Sequence, residues 1–256
     1  MILKLALLLM GTAMLLRADD AADKLTSAGI AEFNAAYQAW DGGRFWNAAE
    51  LFKKAVAKTP DSSVNYYWLG AARFHRMLYY RSLSVSATHT SIANAEMDEA
   101  MEALENTLKL NAHHAESHAL LGTLYGMKID GMIDGIRYGR TLQEHQKQAL
   151  ASGADNPRVQ YLLGSGLFHT AKDDADRREA LKTLLAAEKL FVAEQKNPAK
   201  PFDPRWGRGS CLTFIGRTYA SLGQKPEAVD YFRKALAEHP VDHVAKAELA
   251  RLAPSN

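Results

Sequence analysis

Two short sets of side chains in this chain could do chemistry, and they match each other. Tyr67, Phe74 and His75 are spaced as Tyr161, Phe168 and His169 are, with Leu69-Gly70 and Leu163-Gly164 at corresponding places between them. Tyrosine and phenylalanine offer broad faces for burying an apolar ligand, and histidine adds a polar or titratable contact. Arg158 and Arg217 are two positive candidates, enough for one carboxylate and far short of a basic track. Two other accounts of the likeness stay open: Phe74 and Phe168 pack beneath inserted segments, or the two stretches descend from a duplication.

Other reactive residues form weaker patterns. His114 and His118 are four apart with Glu116 between them and His113 before them, a spacing zinc accepts on one helix face. A zinc site needs a third or fourth ligand from elsewhere, and a helix beginning between the histidines would separate them, so no metal is expected. Cys211 has no second cysteine to pair with and no neighbouring histidine base, which makes it a packing residue rather than a nucleophile. No metalloprotease, phosphate-loop, haem-attachment or serine-elbow motif is present, so no catalytic residue and no cofactor is expected.

The elements that must position these residues are read from residues 209–242. Leu212, Ile215, Gly216, Tyr219, Gly223, Ala228, Phe232, Ala235 and Pro240 fall at helical spacing on either side of Gly223-Gln224-Lys225-Pro226. That pattern describes two short antiparallel helices. Gly216 and Ala228 are small where two axes approach, Tyr219 and Phe232 fill the gap, and Pro240 ends the second helix.

On these residues the segment resembles a tetratricopeptide repeat, a helix–turn–helix unit of 34 residues. Gly216, Ala228, Ala235 and Pro240 stand where that unit carries its small residues and its proline. The resemblance implies an all-α, right-handed solenoid of antiparallel helix pairs with a ligand-binding concave groove lined by the first helix of each pair. Carried over position by position, the groove holds Phe33, Tyr37 and Trp40; Tyr67, Phe74 and His75; Glu116, Thr123 and Met127; Arg158, Tyr161, Ser165, Phe168 and His169; and Thr213 and Arg217. The lysine and arginine clamp with which some repeats hold acidic chaperone tails is missing.

Aligned to that segment, the chain divides into about five repeats, residues 29–62, 63–114, 115–156, 157–208 and 209–242, with a capping helix in 243–256. The second repeat carries an insertion at 77–96, read as a lengthened first helix and a polar loop, with a lengthened second helix as an alternative. The third is longer, and its helices are expected to run through Gly131, Gly135 and Gly139, either as a glycine-weakened turn region or as a close helix contact. In the fourth, Asp173, Asp174, Asp176 and Glu179 form a solvated turn without the spacing of a calcium loop. The connector 195–208 bears Pro198, Pro201 and Pro204 with Phe202 and Trp206, an extended strip held down by its aromatic residues.

Lys4 followed by an apolar run to Leu16 has the form of a secretory signal peptide over residues 1–18, shorter than the roughly 20 apolar residues of a spanning helix. A retained anchor is the alternative. Lys4 and Arg17 account for the whole excess of 31 basic over 29 acidic residues, so the remainder is neutral and gives no reason to expect nucleic acid or an anionic membrane. The resulting expectation is a periplasmic or secreted noncatalytic scaffold, with no membrane span after cleavage, that recognises a protein or peptide partner. Its site residues would be Tyr67, Phe74, His75, Arg158, Tyr161, Phe168, His169 and Arg217. Alternatives are a small-solute-binding component of an extracytoplasmic transport system, with a closed cavity near Tyr67, Tyr161, Phe168 and Arg158, and a metal-dependent enzyme.

Overall fold

In the computed structural model, backbone is described for residues 2–253 and side chains for residues 20–253. The expected signal segment, residues 1–18, lies outside the residues whose side chains are described. Among the described residues the chain forms eleven helices and no strand: α1 (Ile2–Ala39), α2 (Gly42–Lys58), α3 (Ser63–Ser82), α4 (Ala87–Leu110), α5 (Ala115–Met127), α6 (Met132–Gly153), α7 (Pro157–Thr170), α8 (Asp174–Gln195), α9 (Arg208–Ser221), α10 (Lys225–Glu238) and α11 (His243–Leu252). Among the residues whose side chains are described, no helix is long and apolar enough to cross a membrane. They divide into two compact units, Met1–Tyr37 with Asp41–Ala112, and Gln38–Trp40 with His113–Asn256.

The helix starts are written in short polar side chains. Asp41 accepts from the Gly43 and Arg44 amides at the head of α2, Asp173 from Ala175 and Asp176 at the head of α8, and Asp242 from Val244 and Ala245 at the head of α11. Each satisfies amides that a helix leaves unpaired at its first turn. Of the acids in the fourth repeat's turn, Asp173 is thus used in capping, Asp176 accepts from the Lys172 amide, and Asp174 and Glu179 make exposed ion pairs to Arg177 and Lys182.

Within each unit, consecutive helices pair through a glycine. A Cβ on Gly70 of α3 would stand 2.7 Å from Leu104 of α4, one on Gly164 of α7 would stand 2.8 Å from Leu184 of α8, and one on Gly216 of α9 would stand 2.7 Å from Phe232 of α10. The facing residues Leu104, Leu184 and Phe232 are fully buried. Gly122 in α5 is looser, its nearest atom being Gln146 of α6 at 3.5 Å.

The insertions resolve as helix rather than loop. The 77–96 stretch lengthens both α3 and α4 and leaves only residues 83–86 between them, since Ser86 accepts from the His89 amide and starts α4 early. Thr88, Thr90 and Ser91 are therefore helical, where a polar loop was expected. The third repeat's helices do not run through Gly131. That residue has φ 106°, a left-handed value that suits glycine, and it separates α5 from α6. Gly135 and Gly139 lie on α6 with nothing within 4 Å of a Cβ at either, so neither makes a close contact within this chain. In the connector, Trp206 is buried and Arg205 donates to the Glu194 carbonyl at 2.7 Å, which holds the proline strip against the second unit.

The contrast between crowded and open glycines gives a paired expectation. Gly216→Val forces a branched side chain against the buried Phe232 ring and lowers stability by about 2–3 kcal/mol. Gly135→Ala, in open space on a helix, raises it by roughly 0.5–1 kcal/mol. Urea unfolding followed by circular dichroism measures both.

Candidate functional site

The two matching sets of side chains meet different fates. In the first unit Tyr67, Phe74 and His75 are all buried. The His75 ring is walled by Phe33 at 5.1 Å, Tyr37 at 5.3 Å, Phe74 at 5.3 Å and Phe45 at 5.6 Å. Its Nδ1 lies 2.8 Å from the Ala71 carbonyl. A carbonyl can only accept, so Nδ1 carries the hydrogen and the neutral tautomer is fixed. Burial drives the His75 pKa down to about 4, against the opposing pull of the Ala71 bond. His75 is thus a neutral core residue, and the expected groove residues Phe33 and Tyr37 form part of its box.

In the second unit the corresponding set is open. Phe168 is half-buried and His169 exposed at the C-terminal end of α7. Phe214 of α9 gathers them, with ring centroids 5.6 Å from Phe168, 5.4 Å from His169 and 6.1 Å from Tyr161. The Arg217 guanidinium lies over both phenyl rings, 4.8 Å from the centre of Phe168 and 5.1 Å from Phe214. Partial burial lowers the pKa of His169, and the Arg217 charge lowers it further. Burial likewise lowers Arg217, opposed by the nearby carboxylates of Glu248 and Asp242. The result is a partly exposed surface on two neighbouring helices that combines aromatic faces, one imidazole and one cation.

Arg158, the other expected cation, faces inward. It is buried, and it donates through Nε to Glu116 of α5 at 2.7 Å and through its terminal nitrogens to Glu194 of α8 at 2.5 and 3.1 Å. Asn156 donates to the same Glu116 carboxylate at 2.8 Å. The first unit has a counterpart in Arg73, which joins Glu50 of α2 to Glu96 and Glu99 of α4, with Arg76 sharing Glu96. Both arginines fasten three helices together. Ser165 and Thr213 are buried too, the latter donating to Asp242 at 2.6 Å.

Phe214 was missed by position-by-position transfer, because it stands one place off the repeat's groove positions. Its spacing of three from Arg217 on one helix, which sets a phenyl ring under a guanidinium, was the available signal.

The remaining reactive residues are scattered. The His114 Nδ1 lies 3.2 Å from the Ser117 amide and 3.0 Å from its hydroxyl, capping α5, while His118 pairs Nδ1 to Nδ1 at 2.9 Å with His145 of α6. Burial, then the neighbouring His118, lowers the His145 pKa to about 4. Among the described residues no three histidine, cysteine, aspartate or glutamate side chains gather as a metal site. Cys211 is buried and its thiol pKa is pushed up by that burial, which keeps it protonated. A cavity of about 270 Å³ opens at the turn between α3 and α4, lined by Tyr80, Arg81, Leu83, Val85, His89, Thr90, Ala93 and Asn94. None of the eight expected binding residues borders it.

No family model and no curated protein matches the sequence. Solved structures do match the fold. A thermophilic tetratricopeptide-repeat protein of Thermus thermophilus superposes with a TM-score of 0.58 at 16% identity, covering 88% of this chain and 98% of its own. The Cut9–Hcn1 hetero-tetramer of APC/C superposes with a TM-score of 0.61 at 16% identity over 97% of this chain and 39% of the matched one. At that identity the likeness is one of fold: stacked antiparallel helix pairs of the tetratricopeptide kind.

The buried His75 couples the first unit's stability to pH. Its pKa is about 4 folded and near 6.5 unfolded, so between those values the unfolded chain binds a proton that the folded chain refuses. The stabilisation is complete above pH 6.5 and is lost as pH falls towards 4, a change of about 3 kcal/mol. Urea unfolding at pH 7 and pH 4.5 should show this loss in the wild type and a smaller loss in His75→Leu. An equal loss in the variant would show that His75 is not its source.

Proposed function

We propose that the chain is a noncatalytic recognition protein whose second unit holds a protein or peptide segment against the α7 and α9 surface. The observation that carries this reading is the Arg217 guanidinium lying over Phe168 and Phe214 beside the exposed His169. Two helices fix these groups relative to each other, so little side-chain freedom is lost on binding. The aromatic faces suit an apolar side chain, and Arg217 with His169 suits a nearby carboxylate. Tyr161, itself buried, packs beside Phe214. Of the groups named from the sequence, Tyr67, Phe74, His75 and Arg158 serve as framework in this reading, and Phe214 joins the binding set.

The fold supports an interaction role, since stacked helix pairs present preformed surfaces without supplying a reaction centre. The apolar run before Leu16 supports export, which places the partner in the periplasm or outside the cell. A solute-binding role draws no support from the cavity between α3 and α4, because the groups named for it lie elsewhere.

Affinity capture from an extracytoplasmic extract tests the reading, using residues 19–256 of the wild type and of Arg217→Ala and Phe214→Ala. Each substitution is expected to weaken capture of the same partner at least tenfold, about 1.4 kcal/mol, with unchanged helical content. Equal capture by both folded variants would refute the α7–α9 surface as the site.

A further inference from the structure

Helix α6 carries a face that nothing in this chain covers. Met132, Ile133 and Ile136 are 83, 81 and 79% exposed, a degree of exposure at which most large aliphatic side chains of a soluble surface are not found side by side. The cause lies in the pairing with α5. That pairing is built from Tyr138 onward: its ring meets Tyr125 at 6.1 Å, Leu142 stands 3.2 Å from a Cβ on Gly126, and His145 stacks on Tyr125 at 5.6 Å. The turn and a half before Tyr138 projects past these contacts.

The charges around this face say what covers it. Asp130 lies at its N-terminal end and Arg137 and Arg140 at the other, and none of the three forms an ion pair among the described residues, while Asp134, on the opposite side of the helix, accepts from the Asp130 amide. We propose that the uncovered face of α6 is a self-association surface that pairs antiparallel with the same face of a second copy. A two-fold axis through the middle of the face sets the acidic end of each copy against the basic end of the other and buries the aliphatic side chains between them. The two helix dipoles then also run in opposition. Gly135 and Gly139, with nothing within 4 Å of a Cβ, let the backbones come close without a clash. Three aliphatic side chains per copy make a small contact, so the pairing is concentration-dependent, with a dissociation constant on the order of micromolar.

Sedimentation velocity on residues 19–256 over about 1–200 µM, a range that brackets such a constant, reads the equilibrium directly. The wild type is expected to shift from monomer to dimer. Ile133→Asp/Ile136→Asp, on exposed positions that folding does not need, is expected to stay monomeric throughout. Asp130→Arg alone and Arg137→Asp/Arg140→Asp alone are each expected to be monomeric, and an equimolar mixture of the two to form a heterodimer. A wild type that is monomeric at every concentration overturns the proposal, as does a dimer indifferent to the isoleucine changes or a charge-reversed mixture that fails to associate. Flotation of the wild type with anionic phosphatidylglycerol vesicles, abolished by the same isoleucine changes in the absence of any dimer, assigns the face to a membrane and overturns it as well.

Discussion

The close approach of paired helices at a single glycine is the constraint on which the rest of the structure depends. At Gly70, Gly164 and Gly216 the opposite helix brings a buried leucine or phenylalanine into the space a Cβ would occupy. Packing this tight fixes the distance and rotation of each pair, because a close-packed interior has no slack for either to drift. Once the pair is fixed, the face of the first helix that points away from its partner is fixed too. The surface that the first helix presents is thus a consequence of packing behind it. Where the glycine contact loosens, at Gly122, the second helix of the pair shows the consequence: among its described residues α6 buries only Ala149.

Charged groups inside the molecule act on this frame in a second way. Arg73 and Arg158 each face two or three carboxylates from neighbouring helices. Removing such charges from water costs several kcal/mol per ion, so these networks are poor evidence of stability. Their geometric effect is clearer, since a guanidinium bound on several edges orients three helices at once. Removing Arg158 in this way from the set of available cations leaves Arg217 as the positive group of the α7–α9 surface. Arg217 stacks on two phenyl rings and is half-buried, whereas Arg158, which also lies over a phenyl ring, is fully buried among carboxylates.

The fold was legible because the 209–242 segment states its small and large residues at the repeat's own spacing, and Leu69-Gly70, Leu121-Gly122 and Leu163-Gly164 repeat part of it. The helix-pair architecture follows from those residues alone. Insertions were harder. Ser86 and the threonines after it read as loop by composition, but Ser86 caps a helix, a distinction of backbone angle that residue type does not decide. The site was only half legible. Tyr67-Phe74-His75 and Tyr161-Phe168-His169 are alike as strings, yet Phe33, Tyr37 and Phe45 enclose the first set, whereas the second keeps an exposed histidine beside Phe214. That difference comes from neighbours distant in sequence, which a local pattern does not contain. Equivalence of position in a repeat predicts backbone placement well and exposure poorly.

On the proposed function, one histidine of this matched pair is framework and the other belongs to a binding surface. Residue-resolved nuclear magnetic resonance of the His75 and His169 ring protons, recorded with and without the captured partner, separates the two roles. Partner binding is expected to shift the His169 resonances and to leave those of His75 in place. A His75 signal that moves on binding while His169 stays still would contradict it.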